Sequence, residues 1–453
     1  MILASFFFSL LQSSDVTSWA NMQFPPQGHP EMLGSPNRKE LVSMLLNSQQ
    51  ANTRWEFFDD SQFSGMDDLE KKFLAVHFMS FLEFPVDADT LKSIKRYLGD
   101  EPLLISYIKC LGQSGESTRK ELRKYLKSRL PAVRAEATYA LTRWFDDGED
   151  FGLSYLANRG LHPWQRVAAL RGLADRESSL AMVQALRRLT VEEGTLLWEC
   201  LSILRRDLNH DAIPYLIELL KKDRSRGVNE SVAMLQALTG YRIGHDYRAW
   251  KIAFLQHQAE GSIMKAQAED SRELKTVSYL GIPLLSDNIC FVLDSSVSMS
   301  QRMYEMRRET RASRLITEWE SILPRIPSVS KFNVVFFQTT ITKMYDQLAE
   351  ASIKAKEYAR VFVKNNKFTG GTNLYSGINI GLQQEGVEEL VVLSDGEPNG
   401  DVNIPSHILL EIEQFNRWRN IRISTISFSA PRRAEVLMYR IAADNLGHFR
   451  NLD

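Results

Sequence analysis

Cysteine, histidine pairs, surplus charge and long apolar runs are all scarce in this sequence, and each shortage removes a class of protein. Three cysteines, Cys110, Cys200 and Cys290, are too few and too widely spaced for a disulfide framework or a C-x-x-C metal site. Cys110 and Cys200 fall in apolar helical runs and Cys290 in a strand-like run, where a free thiol packs as a small hydrophobe. The eight histidines form no H-E-x-x-H or H-x-x-x-H pair, so the zinc-hydrolase signature is missing. A formal net charge of −1 excludes the broad basic footprint that nucleic-acid binding requires. The one basic cluster, Arg302, Arg307, Arg308, Arg311 and Arg314, is interleaved with Glu305 and Glu309 and reads as a solvated helix face. There is no P-loop for nucleotide hydrolysis. Gly112-Gln-Ser-Gly115 sits in a helix–turn region rather than after a strand, so it is not a nucleophile elbow.

Apolar runs are short. The longest early one, Met1 to Leu11, falls well below the roughly 20 residues of a membrane span, so no transmembrane segment is expected. Its length suits the apolar region of a secretory signal, with Ser18-Trp19-Ala20 as a small-residue cleavage site. No Lys or Arg precedes it, and only the α-amino group supplies positive charge. Residues 1–20 are therefore a candidate signal peptide, which places the chain in a periplasm or outside the cell. The competing expectation is a hydrophobic helix packed on the body of a cytoplasmic protein.

What the sequence does contain is organised in blocks. A chain of 453 residues exceeds one ordinary core, and two or three domains are expected. Turn and breaker residues such as Pro25-Pro26 and Gly34-Ser35-Pro36 mark residues 21–66 as linker or irregular chain. From residue 67 to residue 254 apolar positions recur at helical spacing, as at Leu104, Tyr107, Ile108 and Leu111. A longer period overlies this one: Leu111, Leu141, Leu173, Leu204 and Leu238 occupy equivalent places, spaced by 30, 32, 31 and 34 residues. A helix pair every ~30 residues is the mark of an all-α solenoid, and the pattern resembles HEAT-like repeats. Pro131 and Pro163 stand where helices begin. The stretch Leu238 to Trp250 resembles a segment that closes such arrays in multidomain bacterial proteins, with Gly240 and Gly244 for the bend and Asp246 as a helix cap. Residues 255–285 read as a connecting helix and linker.

From residue 286 to residue 453 the pattern becomes strand–helix alternation. Ile289–Leu293, Phe332–Phe337, Glu389–Leu393 and Ile421–Ser427 are apolar enough for buried parallel strands. An antiparallel edge strand is expected at Ile341–Tyr345 and a closing strand at His448–Asn451. Helices are expected near 303–323, 353–363, 374–382, 406–417 and 434–443. Such alternation specifies a doubly wound α/β (Rossmann-like) sheet, which binds ligands beyond the carboxyl ends of its strands.

Three segments fall at those ends: Asp294-Ser295-Ser296-Val297-Ser298, Thr369-Gly370-Gly371-Thr372-Asn373 and Ser394-Asp395-Gly396-Glu397-Pro398. They supply two carboxylates (Asp294, Asp395) and three hydroxyls (Ser296, Ser298, Thr372), all hard oxygen donors suited to Mg²⁺, Mn²⁺ or Ca²⁺. Glu397 is expected at the exposed rim, and Asn373 as a residue that orients the Thr372 loop. The D-x-S-x-S motif, the loop threonine after paired glycines and the strand-end Asp-Gly resemble the metal-ion-dependent adhesion site of von Willebrand factor A (VWA) domains. Val297 departs from that pattern, standing where the family commonly has glycine. The resemblance covers residues 286–453 and implies direct metal contacts from Ser296, Ser298 and Thr372. It implies that Asp294 and Asp395 act directly or through water. It further implies a non-enzymatic protein that binds an acidic residue of a protein partner, with the helical repeats as a second interaction surface. Two other readings carry weight: an accessory subunit of an AAA+ ATPase in a chelatase-like assembly, and a metal-dependent hydrolase.

Overall fold

The helical period of the sequence becomes an alternation of long and short helices. The computed structural model describes residues 101–452 apart from 209, 223–224, 261–276, 303–308, 401–402 and 404. The candidate signal peptide, the 21–66 linker, the start of the helical region and most of the connecting helix therefore lie outside the described residues. Among the described residues no helix is long and apolar enough to cross a membrane. All three cysteines are buried thiols outside any disulfide, as their apolar settings suggest.

The described chain packs as two compact units, one running to Ser178 and the other taking in Ser179–Asn403 and Ile408–Asp453. The first unit contains α1 (Glu101–Gln113), α2 (Arg119–Tyr125), α3 (Pro131–Trp144), α4 (Gly148–Ala157) and α5 (Pro163–Asp175). Pro131 and Pro163 open α3 and α5 at a position whose N–H has no partner within the helix, so the missing donor costs nothing. The long helices stack, α1 on α3 and α3 on α5. Glycine permits their close approach: a Cβ on Gly112 would lie 2.8 Å from the Ala140 Cβ, and one on Gly172 would lie 2.7 Å from the Thr142 Cβ.

The second unit begins with α6 (Ser179–Arg188), α7 (Gly194–Arg206), α8 (Ile213–Leu219), α9 (Arg226–Thr239) and α10 (Tyr247–Ala259). Leu111, Leu141, Leu173 and Leu204 are all buried near the ends of their long helices. On α9 the repeat slips. The inward stripe runs Val228, Val232, Leu235 and Thr239 at helical spacing, which leaves Leu238 only half-buried. Gly240 ends α9 in a left-handed turn, and the Asp246 carboxylate accepts from the N–H groups of Arg248 and Ala249 to start α10. The buried Trp250 indole N–H donates to the Gly244 carbonyl and locks this corner.

The remainder of the unit is a sheet between helical layers. A hairpin of β1 (Ser278–Tyr279) and β2 (Ile282–Pro283) precedes β3 (Asn288–Asp294), within the stretch read as connecting linker. There follow α11 (Arg311–Ile322), β4 (Lys331–Phe337), β5 (Ile341–Lys343), β6 (Ala349–Glu350), α12 (Ile353–Lys364), α13 (Leu374–Leu382) and β7 (Glu389–Ser394). The chain continues through α14 (Pro405–Asn416), β8 (Arg422–Phe428), α15 (Arg432–Asp444) and β9 (Phe449–Leu452). The strand order is β5-β4-β3-β7-β8-β9; neighbours from β4 to β9 are parallel, and β5 and β6 pair with β4 antiparallel.

Alternation along the strands assigns each face of the sheet. Phe291, Leu293, Phe332, Val334, Phe336, Val391 and Leu393 point to one layer, with Trp319 of α11 and Ala355, Ala359 and Val363 of α12. Cys290, Val292, Val335, Phe337, Leu390 and Val392 point to the other, with Ile378 of α13, Ile412 of α14 and Ile441 of α15. Tyr279 of the hairpin packs edge-on against Phe291 and Trp319, so the hairpin completes the first layer.

At the amino ends of the central strands the unit buries charge. Arg226 opens α9 with no exposed surface; its Nε donates to Glu230 Oε1 at 2.8 Å, and its Nη1 donates to the carbonyls of Glu388 and Asn420. Arg422 of β8 lies 3.4 Å from both Glu230 Oε1 and Glu389 Oε1, and Arg205 of α7 reaches Glu230 Oε2 at 3.0 Å. Glu389 Oε2 accepts from the N–H groups of Leu285 and Ser286, and Asn420 donates to Glu199 of α7. Burial alone would raise the Glu230 carboxyl, but Arg226, Arg422 and Arg205 outweigh it and hold the group below its ordinary range. These bonds join α7 and α9 to the sheet. Removing one member strands a buried opposite charge, so Glu230→Ala is expected to cost about 3–5 kcal/mol in urea unfolding. A loss below about 1 kcal/mol would show that Glu389 and the main-chain carbonyls suffice for these arginines without Glu230.

Candidate functional site

The register of β3 on β7 decides where the carboxylates go. Leu293 stands beside Leu393 in parallel strands, so Asp294 ends its strand beside Ser394, and Asp395 follows one residue later. Both side chains are buried, with Asp294 fully covered and Asp395 2% exposed.

The first segment turns sharply after β3. Asp294 Oδ1 accepts the Ser296 N–H at 2.7 Å, and Oδ2 accepts the Ser394 hydroxyl at 2.7 Å. The Ser298 hydroxyl donates to Asp395 Oδ1 at 2.7 Å. A hydroxyl has one proton to give, so in the 2.9 Å contact between Ser296 Oγ and Ser298 Oγ, Ser296 is the donor. Val297, the departure from the adhesion-site pattern, is 63% exposed and points away from the core.

The second segment is laced to the first and to Asn399, just beyond the third. The Thr369 N–H donates to the Ser295 carbonyl at 2.8 Å and the Val297 N–H to the Gly370 carbonyl at 3.2 Å. Gly370 adopts φ 75°, a left-handed conformation that favours glycine, and a Cβ there would meet Gln338 Oε1 at 2.6 Å. The Thr372 N–H donates to Asn399 Oδ1 at 2.6 Å, and the Asn399 N–H returns to the Thr372 carbonyl at 3.0 Å. Asn373 caps α13 by accepting from the Ser376 N–H, and Glu397 is exposed. Gly396 marks the meeting point: a Cβ built there would have only Thr372 Oγ1, at 3.5 Å, and Ser298 Oγ, at 3.8 Å, within 4 Å. The three segments singled out in the sequence thus surround one place at the carboxyl ends of β3 and β7.

Two side chains that sequence patterning did not single out complete the arrangement. Asn399 holds the Thr372 loop. Arg311, read from the sequence as part of a solvated helix face, is buried, and its Nη1 donates to Asp395 Oδ2 at 2.6 Å. The signal was its place at the head of the stripe Arg311, Leu315, Trp319, Ile322, all of which face inward. Its neighbour Arg314 pairs with Glu318 on the helix surface, as expected for the cluster.

Electrostatics and donor chemistry suit a small hard cation. Burial, and next the charge of Asp395, push the Asp294 carboxyl up to about 6, against hydrogen bonds from Ser296 and Ser394 that pull it down. Two carboxylates that repel each other and converge with three hydroxyls form an oxygen-only donor set of the type hard divalent cations take. Among the described residues no group of three or more His, Cys, Asp or Glu is placed to hold a metal, so a cation held here would need the hydroxyls as well as the two carboxylates.

The raised Asp294 fixes a sign. In metal-free protein the folded state holds its proton to higher pH than the unfolded chain does, so this site's contribution falls as pH rises from about 4 through about 6. The loss approaches about 3 kcal/mol at order-of-magnitude precision. Urea unfolding in chelator should show this slope, and Asp294→Asn should flatten it. Equal slopes in both proteins would mean that Asp294 ionises normally in the fold.

No protein-family model matches the chain. It is 30% identical over 140 residues to inter-alpha-trypsin inhibitor heavy chain H3 of Rattus norvegicus, covering 28% of this chain and 15% of that protein. It is 24% identical over 164 residues to the human von Willebrand factor A domain-containing protein 3A, covering 36% of this chain and 13% of that one. Among solved structures it is similar to BatB of Bacteroides thetaiotaomicron at 16% identity and TM-score 0.30, over 37% of this chain and 90% of that one. The chain thus spans about one seventh of the length of the two sequence relatives. One of these two relatives is named for a von Willebrand factor A domain, the type of domain that residues 286–453 resemble.

Proposed function

We propose that this chain is a non-enzymatic binding protein whose α/β domain, residues 286–453, takes a divalent cation among Asp294, Ser296, Ser298, Thr372 and Asp395. The cation, Mg²⁺ or alternatively Mn²⁺ or Ca²⁺, supplies an electrophile for a carboxylate of a protein partner. The observation that carries this reading is the convergence of the three segments on one place with two buried, mutually repelling carboxylates. Ser296, Ser298 and Thr372 offer neutral oxygens, and Asp294 and Asp395 hold the shell through their bonds to Ser394, Ser298 and Arg311.

Commitment of both carboxylates favours binding over catalysis. Each already accepts two hydrogen bonds, which leaves neither placed as a free general base. Stacked long helices with a period near 30 residues support HEAT-like repeats over residues 67–254 as a second interaction surface.

Calorimetry on the full chain with Mn²⁺ and with Mg²⁺ should show one saturable site, lost in Asp294→Ala and weakened by about tenfold or more in Thr372→Val, which removes a hydroxyl and keeps shape. A short acidic peptide should bind only when the metal is present. Absence of metal binding by the folded wild type, or peptide binding that survives chelation, would sink the reading.

A further inference from the structure

We infer that Arg311 sets the charge of the candidate metal site, loosening its hold on the cation and strengthening its pull on an external carboxylate. The inference rests on the metal-binding reading above and deepens it by assigning a residue that determines selectivity for an anionic ligand.

Three observations carry it. The Arg311 guanidinium is 2.6 Å from Asp395 Oδ2, while the other oxygen of that carboxylate accepts from Ser298. Arg311 and Asp395 side chains are 11% and 0% exposed, so solvent screens this pair far less than a surface pair. The fold also holds the guanidinium in place from two other sides. Nη1 lies 3.4 Å from the Ser298 carbonyl, and Nη2 donates at 3.1 Å to the carbonyl of Ser429, a non-glycine residue at φ 41°. Left-handed backbone outside glycine is costly and persists where surrounding bonds over-determine it; here Ser429 is also pinned by its N–H on the Leu452 carbonyl.

The consequence follows from counting charge. Asp294 and Asp395 contribute −2 when ionised and Arg311 contributes +1. A divalent cation therefore leaves the site at net +1, where without Arg311 it would leave net zero. Positive charge beside the cation weakens its retention, and the uncompensated +1 favours an incoming carboxylate over a neutral ligand.

Substitution separates charge from shape. Arg311→Gln removes the charge, whereas Arg311→Lys keeps it and loses the forked geometry. Mn²⁺ titrations of the full-length wild type and both variants, checked for folding by circular dichroism, read the first half. Titration of the Mn²⁺-saturated proteins with acetate and with a short acidic peptide reads the second. Arg311→Gln should bind Mn²⁺ about tenfold more tightly and the carboxylates about tenfold more weakly, with Arg311→Lys within about threefold of wild type in both. If Arg311→Gln binds no tighter, or the two variants behave alike, Arg311 is structural and the inference falls while the metal reading stands. If wild type takes up no Mn²⁺ but Arg311→Gln does, the role of Arg311 stands and metal-dependent binding by the native chain falls. If neither binds, both fall.

Discussion

One consequence of parallel pairing governs the functional end of this molecule. Because β3 and β7 are neighbours and run the same way, the residues that end them emerge side by side, and here those residues lead into Asp294 and Asp395. Both carboxylates are buried, and desolvation together with the charge of Asp395 disfavours ionisation of Asp294. The surrounding groups offset that cost in different ways. The Ser296 N–H and the hydroxyls of Ser394 and Ser298 donate into the carboxylates, Arg311 neutralises one of them, and two tight loops wrap the place where they meet. A site built this way is an unbalanced buried charge held in a rigid frame, which is the condition under which a cation adds stability.

The other end of the same strands solves the opposite problem. There Arg226 and Arg422 face Glu230 and Glu389, with Arg205 at the margin, so positive and negative groups compensate one another within the protein. Main-chain carbonyls of Glu388 and Asn420 and N–H groups of Leu285 and Ser286 take up the remaining hydrogen-bonding capacity. Such a network contributes less through its net energy than through the cost of any incomplete arrangement, because each unpaired member is a buried charge. It also ties α7 and α9 to the sheet within their own unit. The two ends of the sheet thus differ in charge balance: one is closed, and the other sets a single arginine against two carboxylates.

Arg311 occupies an intermediate position between these solutions. It brings to the open end the device used at the closed end, a buried guanidinium against a carboxylate, but only one for two acids. Complete neutralisation by a second arginine would leave nothing for a metal to offset. With none, an ion would be held more tightly and would attract an external anion less. The geometry that keeps Arg311 there, from the head of α11 to the strained carbonyl of Ser429, draws on four separate segments of the chain.

The sequence by itself determined the periodicities and the donor set. Continuous apolar runs such as Cys290 to Leu293 suit strands buried on both faces, and helical stripes such as Leu315, Trp319 and Ile322 suit inward helix faces. Paired glycines beside Thr372 carried the conformational demand of their loop, and the helix starts at Pro131, Pro163 and Asp246 carried their own chemistry. Tertiary structure alone decided which charged residues meet. Arg311 looked like one of five surface arginines because local spacing does not report a carboxylate 84 residues away, and nothing in the four-residue spacing of Arg226 and Glu230 reports that β8 delivers Arg422 beside them. The slip from Leu238 to Leu235 on α9 has the same origin: the period of the repeat is set along the chain, while the inward direction is set by what the helix packs against. Short-range pattern fixes the face a residue occupies, and long-range electrostatics has no period to read.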